Sequence, residues 1–169
     1  MEIKKYLTFL SAGRKFAVPF YDIRTVLVAD NLQPIPEFPY YFAGSCTWGK
    51  ESVPVIDSRA RFGFGKSELS DRSCIIICET AFSVANQLGY IGLLTDTVAE
   101  MCELDPDALQ PCPAINKEAY TRYLRGVFVE NGETCYVVDT GMMVNDSDAE
   151  TIKETRYKNG DSDRRSDNE

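Results

Sequence analysis

Hydrophobic and polar positions alternate in short runs along most of the chain, and turn-forming residues separate these runs. Such a pattern over four to eight residues predicts a half-buried β-strand. Nine strands are predicted in this way, and their regular spacing is typical of a small barrel or a sandwich. The predicted strands are residues 6–10, 16–19, 26–29, 43–48, 52–56, 74–79, 89–94, 126–129 and 134–138.

Several gaps between the strands carry recognisable signals. Residues 11–14 and 130–133 predict tight hairpin turns, because glycine and asparagine accept the positive φ that such turns require. Residues 63–72 are polar and rich in glycine, and they predict a connector between two halves of the chain. Near the end, residues 147–150 predict the cap of a charged helix that runs to about residue 158.

The two halves of the chain resemble each other. Three matches occur in the same order in both halves: a segment with two prolines, a glycine and an aspartate. In each half the glycine precedes the aspartate by 13 residues. A duplicated unit of this size has too small a core to be stable alone, so we expect the copies to pack together and form a groove at their seam. The matches are residues 32–36 with 109–113, Gly44 with Gly126, and Asp57 with Asp139, and residues 23–26 also correspond to 98–101.

Composition then restricts the function. A chain of 169 residues that is 44% hydrophobic and 26% charged suits one globular domain. Its net charge of −8 opposes binding to nucleic acid, which depends on clustered lysine and arginine. No apolar run approaches the roughly 20 residues of a membrane span. We therefore expect a cytoplasmic protein that neither binds nucleic acid nor inserts into a membrane.

The candidate chemistry is sparse. The chain has six cysteines and no histidine, and no two cysteines form a CxxC pair, so free thiols are expected and no metal site. Without histidine there is no Ser-His or Cys-His pair, and no phosphate-binding loop is present. Residues 137–141 have the form of an aspartic protease motif, but Arg59 stands where the partner motif around Asp57 needs glycine. No catalytic residue and no cofactor are expected.

Seven segments in a specific order carry a family resemblance. They are YLTFL at 6–10, FAVP at 16–19, IRTVL at 23–27, PIP at 34–36, PVIDSR at 54–59 with Gly44 before it, IGLLTDTV at 91–98 and YLRGV at 123–127. Over about residues 4–144 the chain resembles the CheW-like adaptors of bacterial chemotaxis. The resemblance implies an all-β fold of two SH3-like five-stranded β-barrel subdomains packed together, with short helices and a C-terminal helix.

The resemblance also implies a domain organisation and a function. Residues 1–144 would form one domain, with subdomain one at about 16–65, subdomain two at about 74–140, and the N-terminal strand completing the body; residues 145–169 would form a charged helix or tail. The implied function is a non-enzymatic adaptor between the cytoplasmic tip of chemoreceptors and the regulatory domain of the histidine kinase CheA. Two alternatives remain: a β-barrel module that binds peptides or ligands outside chemotaxis, and a protease that uses Asp57 and Asp139.

Partner-contacting residues follow from the resemblance, although alternating apolar positions in strands mostly point inward, which favours a core position for each apolar one. Gly44 is expected to allow a close backbone approach, and Trp48 to anchor an interface. Two positions depart from the family: Gly49 replaces an arginine, so that the adjacent lysine keeps the charge without bidentate contacts, and Thr25 replaces a glutamate. The full set is Ile23, Thr25, Val26, Gly44, Trp48, Gly49, Lys50, Asp57, Arg59, Leu94 and Val98.

Overall fold

The computed structural model describes residues 2–82, 87–112 and 119–144. Within these ranges the chain forms ten β-strands and one α-helix, with single turns of 3-10 helix between them. The strands are β1 Lys4–Ser11, β2 Arg14–Pro19, β3 Ile23–Val28, β4 Phe42–Trp48, β5 Glu51–Asp57, β6 Cys74–Phe82, β7 Gln87–Thr95, β8 Thr97–Leu104, β9 Leu124–Glu130 and β10 Glu133–Val138; helix α1 is Ser58–Arg61. The predicted C-terminal helix lies outside the described residues.

The strands form two five-stranded sheets. The first sheet has the order β8-β1-β2-β10-β9, and the second has the order β3-β6-β7-β5-β4. The all-β prediction and all nine predicted strands are confirmed. Strand β8 was missed because three consecutive residues, Ala99, Glu100 and Met101, are all exposed, which breaks the alternation that reveals a strand.

The duplication is visible residue by residue in the strand register. Strands β1 to β5 correspond to β6 to β10, and each hydrogen-bonded pair in one sheet has an equivalent in the other. Both sheets also contain one parallel pairing, β5 with β7 and β10 with β2. The equivalent pairs include Ile23–Cys78 and Val98–Phe9, Val26–Ile76 and Met101–Leu7, and Val55–Gly92 and Val137–Ala17.

The two halves exchange hairpins. The β1–β2 hairpin of the first half pairs with β8 and β10 of the second, and the β6–β7 hairpin pairs with β3 and β5 of the first. The second sheet therefore comes from the continuous segment 23–95, whereas the first sheet combines residues 4–19 with 97–138. The subdomain ranges of 16–65 and 74–140 stay a prediction, because a repeat in the sequence does not reveal which copy each hairpin joins.

Within the described residues, strands that are buried on both faces pack their side chains into three hydrophobic cores. Ile75 and Ile77 of β6 point into a core that belongs to the second sheet, while Ile76 and Cys78 point the other way into a central core. The central core also takes Phe9 from the first sheet, so it joins the two sheets. A third core, which belongs to the first sheet, contains Tyr6, Ala17, Cys102, Phe128, Cys135 and Val137.

Neither sheet closes into a barrel among the described residues, and in this respect the predicted fold was too specific. In the described part of each half, a loop adds one isolated bridge beside the edge strand: Gln33 pairs with Ser45, and Gln110 pairs with Val127. A proline follows each of these glutamines, and proline has no backbone N–H to extend the ladder. The two five-stranded units are confirmed, and each is open where the proline segment runs.

Candidate functional site

Asp57 closes the end of β5 in a buried position that we call the Asp57 end. Its carboxylate accepts hydrogen bonds from the backbone N–H groups of Arg59 at 3.1 Å and Ala60 at 3.4 Å, at the start of α1. It also accepts from Ser67, from the backbone N–H at 2.8 Å and from Oγ at 2.6 Å. A carboxylate that caps a helix and holds a loop in this way has a structural role.

The Asp57 end is fastened to the turn between β1 and β2. Arg59 Nε lies 3.4 Å from Asp96 Oδ2, and the same oxygen accepts from the backbone N–H of Ala12 at 3.0 Å. The hydroxyls of Ser11 and Ser58 are 2.8 Å apart and buried. Arg59 therefore joins two segments of the fold.

Asp139, the equivalent residue after β10, lies in a more open position that we call the Asp139 end. Its carboxylate accepts one described hydrogen bond, from the N–H of Gly141 at 3.1 Å, and Arg125 Nε lies 3.4 Å away. Arg125 also donates to the hydroxyl of Tyr21 at 3.1 Å. Burial raises the pKa of Asp22, which lies beside this group, and Arg125 only partly offsets that effect.

Strand β3, which carries part of the predicted contact segment, is an edge strand of the second sheet. Val26 is 40% exposed and Val28 is 62% exposed on its outer face. Beside them, Arg24 Nε donates to Glu79 at 2.7 Å. Thr25 is half-buried. The predicted contact residues of β3 therefore include one accessible apolar side chain, Val26.

The other predicted groove residues are less accessible. Ile23 and Val98 are equivalent positions that are partly buried against the central core. Leu94 is only 2% exposed and belongs to the core of the second sheet, where it pairs with Ile75 near the start of β6. A partner cannot reach Leu94 at the surface of this structure, because β7 is an interior strand that is covered on both faces.

Gly44 makes the close backbone approach that the sequence predicts. Its φ is +136°, and a Cβ atom at this position would overlap the carbonyl oxygen of Gln33. The equivalent Gly126 would place a Cβ 2.7 Å from the carbonyl oxygen of Gln110. The two glycines therefore let the proline segments lie against the edge strands, and Gly44 is buried rather than available to a partner.

The hairpin between β4 and β5 displays the position where the family arginine is missing. Gly49 and Lys50 are exposed at its tip, and Gly49 has a φ of +61°. Trp48 is half-buried, and its ring meets Tyr90 edge-on with centroids 5.2 Å apart. Trp48 thus braces the hairpin against β7, while the two residues at the tip remain accessible.

The described residues offer little chemistry. No group of three or more Cys, Asp or Glu side chains within them could hold a metal ion, and none of their helices is long and apolar enough to cross a membrane. All six cysteines are free. Burial raises the pKa of Cys78 and of Cys135 to about 12, so both thiols stay protonated and are poor nucleophiles.

The protease interpretation gains no support from the geometry. A dyad of this kind needs two accessible carboxylates that share one proton. Asp57 is 5% exposed and is occupied by hydrogen bonds from backbone amides and Ser67. Asp139 is paired with Arg125.

Sequence reasoning missed two features of the surface. Glu100 lies at the position equivalent to Thr25, and it accepts a hydrogen bond from Lys15 Nζ at 2.9 Å. The repeat could have revealed it, since residues 23–26 align with 98–101. The second feature is a stack of arginine and tyrosine side chains at the seam, which combines residues that are far apart in sequence and gives no local signal.

Comparisons with known proteins agree on one family. The family model described as CheW-like domain matches residues 5–148. A probable chemotaxis protein CheW of Rhizobium etli is 20% identical over 147 residues, which cover 87% of this chain and 91% of that protein. Protein FrzA of Myxococcus xanthus is 24% identical over 129 residues, or 76% of each chain. The crystal structure of scaffolding protein TtCheW from Thermoanaerobacter tengcongensis has a TM-score of 0.74 and 26% identity, and it covers 86% of this chain and 90% of its own.

Proposed function

Because this chain belongs to the CheW-like family, we propose that it is a non-enzymatic adaptor that couples chemoreceptors to a histidine kinase. The family match spans most of the chain. The alignments with two relatives named as chemotaxis proteins cover most of the length of each relative. The proposed partners are the regulatory domain of the kinase CheA and the cytoplasmic tip of a chemoreceptor. We propose that the adaptor acts in the cytoplasm, where both of these partners would meet it.

The outer face of β3 is the observation that best supports this proposal. An edge strand presents unpaired backbone groups, and proteins usually protect such edges with charge or cover them. Here two valines, Val26 and Val28, are exposed on the edge strand of the second sheet. A partner that covers this face would remove apolar surface from water, which favours association. The face coincides with the segment that the family resemblance assigns to partner contact.

The proposed site combines this face with the tip of the β4–β5 hairpin. Val26 supplies the apolar contact, with Ile23 and Thr25 supporting it from half-buried positions. Gly49 and Lys50 supply the exposed backbone and charge of the hairpin tip. Gly44, Asp57 and Arg59 act indirectly, since they fix the backbone that presents these residues, and Trp48 braces the hairpin.

The first test is a binding measurement with the isolated regulatory domain of the cognate kinase. Val26→Asp places a charge in the apolar face, and we expect the affinity to fall by about tenfold or more, as for a central interface residue. Val129→Asp is the matched control, because Val129 is 68% exposed on β9, an edge strand of the other sheet. The control should stay within about twofold of the wild type.

The outcome is read only from variants that are folded, as judged by circular dichroism and a cooperative thermal transition. Wild-type affinity of folded Val26→Asp for the kinase would contradict the proposed site. Absence of binding by the wild-type chain to both the kinase domain and a receptor fragment would contradict the adaptor function itself.

A second test concerns the receptor. Gly49→Arg restores the guanidinium that the family carries, and we expect stronger capture of a chemoreceptor fragment, because a planar guanidinium binds a carboxylate through two hydrogen bonds. Gly49→Lys is the control: it has the same positive φ to accommodate and the same charge, but no planar fork. Equal capture by both variants would show that the missing arginine does not limit receptor binding.

A further inference from the structure

Five side chains form a continuous stack at the seam between the sheets, which we call the cation–aromatic ladder. The guanidinium carbon of Arg61 lies 3.8 Å from the ring centroid of Tyr41 and 4.6 Å from that of Tyr123. The guanidinium carbon of Arg122 lies 5.8 Å from the ring centroid of Tyr123, so Tyr123 contacts both arginines. At the opposite end, Tyr40 meets Tyr41 edge-on with centroids 6.0 Å apart.

The two inner rings of the ladder are equivalent residues of the two halves of the fold. Tyr41 and Tyr123 are equivalent residues: the carbonyl of Tyr41 accepts from the N–H of Asp57 at 2.8 Å, and that of Tyr123 accepts from the N–H of Asp139 at 2.7 Å. Both rings are buried in the central core. Arg61 therefore sits between two fixed aromatic faces, and the positions of its neighbours along the ladder are set by the packed interior.

Charge in the ladder is not neutralised by the part of the chain that the structure describes. Neither Arg61 nor Arg122 forms a hydrogen bond or an ion pair with a described residue, and Arg61 Nε is buried without a hydrogen-bond partner. This is unusual for a chain of net charge −8, in which acidic side chains outnumber basic ones by 26 to 18. A guanidinium held against aromatic rings keeps its donors available for a carboxylate.

The ends of the ladder are accessible. Tyr40 is 69% exposed and Arg122 is exposed, whereas Tyr41 and Tyr123 are buried. Tyrosine and arginine are among the residue types that most often dominate protein interfaces, because they combine a large contact area with directed hydrogen bonds. We propose that the cation–aromatic ladder is a docking surface for a carboxylate-rich segment of a protein partner, with Arg122 and Tyr40 as its exposed anchors.

A protein segment fits this surface better than a nucleic acid. Single-stranded nucleic acids stack their bases on open aromatic faces and need a basic groove along the backbone. In the ladder, Arg61 covers faces of both inner rings, and the chain as a whole is acidic. The inference rests on the proposed adaptor function, since it supplies a second surface on which a partner of the adaptor would be held.

The test uses the full chain and a short fluorescent peptide that alternates glutamate with glycine, measured by anisotropy. The same peptide with glutamine in place of glutamate is the charge control. We expect the glutamate peptide to bind in low salt, with an affinity that falls as salt rises, and the glutamine peptide not to bind. Arg122→Ala should weaken binding by about tenfold and Tyr40→Ala by about threefold. Neither side chain belongs to a core, so both variants should fold.

Arg72→Ala is the matched control, because Arg72 is exposed on the connector before β6 and lies outside the ladder. It removes the same charge and should change the affinity by less than about twofold. The proposal is overturned if Arg72→Ala weakens binding as much as Arg122→Ala does, or if a short single-stranded oligonucleotide binds more tightly than the glutamate peptide.

Failure of this proposal and failure of the adaptor function give different results. If the ladder proposal is wrong and the adaptor function is right, the kinase domain binds the wild type and binds Val26→Asp weakly or not at all. In that case no substitution in the ladder changes the affinity for the kinase domain, the receptor fragment or the peptide. If the adaptor function is wrong and the ladder is right, the glutamate peptide binds through Arg122, while the kinase domain and the receptor fragment bind neither wild type nor variants.

Discussion

The Asp57 end and the Asp139 end are equivalent in backbone and different in what they expose. Each aspartate follows a hairpin strand, donates its N–H to an equivalent tyrosine carbonyl, and accepts a hydrogen bond from an N–H two residues later. Asp57 then gains Ser67 and a helix to cap, and it is buried. Asp139 stays half-buried beside Arg125, and the neighbouring Met142 is 56% exposed.

The side chains around the aspartates explain this difference. Tyr21 and Asp96 are equivalent, since each lies two residues before the matching positions Ile23 and Val98. At the Asp57 end, Asp96 binds Arg59 and the backbone of the β1–β2 turn. At the Asp139 end, Tyr21 is 52% exposed and binds Arg125. The duplication thus repeats the same backbone hydrogen bonds at both ends. The side chains differ between the ends, so that Asp57 is buried and Asp139 is half-buried.

The strongest test of this equivalence changes the two glycines that admit the proline segments. Gly44→Ala should lower the free energy of unfolding by about 3 kcal/mol, because it combines a backbone overlap with a strained positive φ. Gly126→Ala meets the same kind of overlap without the positive φ and should cost about 1.5 kcal/mol. Urea denaturation measures both values.

A control separates the two causes. Gly65 has a φ of +89° and open space around the position of a Cβ atom, so Gly65→Ala should cost only the conformational strain, about 1 kcal/mol. If Gly44→Ala costs no more than Gly65→Ala, the close approach to Gln33 does not constrain the fold.

Replacing the aspartates should give a smaller and unequal effect. Asp57→Ala removes a helix cap and leaves buried amide groups without an acceptor, and we expect a loss of about 2 to 3 kcal/mol. Asp139→Ala removes one hydrogen bond and a solvent-screened ion pair, and about 1 kcal/mol is expected. Thermal unfolding compares the stability lost in the two variants, and the loss in Ser67→Ala should lie between them. Equal losses would mean that burial does not distinguish the two ends.

The smallest expected effect concerns Asp22 at the Asp139 end. Burial raises the pKa of this carboxyl in the folded state, so its ionised form opposes folding above that pKa. Asp22→Asn should therefore increase stability at neutral pH by less than about 1 kcal/mol, and the gain should vanish as the pH falls below the pKa of the unfolded chain. Unfolding curves at neutral and at acidic pH measure this; a gain that is the same at both would contradict the burial argument.

Much of the fold could be predicted because its signals are local. The hairpin turns are an example: Gly13 in one, and Asn131 and Gly132 in the other, adopt the positive φ that their residue types indicated. The duplication was also evident, since Gly44 and Gly126 meet the equivalent glutamines Gln33 and Gln110. These features depend on residues close in sequence or on spacings that recur.

The remaining features depend on contacts between distant segments. The buried position of Leu94 results from packing against residues of β5 and β6 in the core of the second sheet, which no pattern within β7 reveals. The ladder brings Tyr41, Arg61 and Tyr123 together across the seam, and its parts are ordinary taken singly. Alternation along a strand shows that a side chain is on a face, but only the topology decides whether that face meets solvent or another layer.

The hairpin exchange has a consequence for synthesis of the chain. The second sheet needs only residues 23–95, so the ribosome releases all of it in one continuous stretch. The β1–β2 hairpin is made before this sheet, yet its neighbours β8 and β10 are made after it. We expect this hairpin to stay loosely ordered until β8 and β10 have emerged, since a hairpin alone is marginally stable in water. The order of synthesis and the order of folding are therefore reversed for the β1–β2 hairpin and the second sheet.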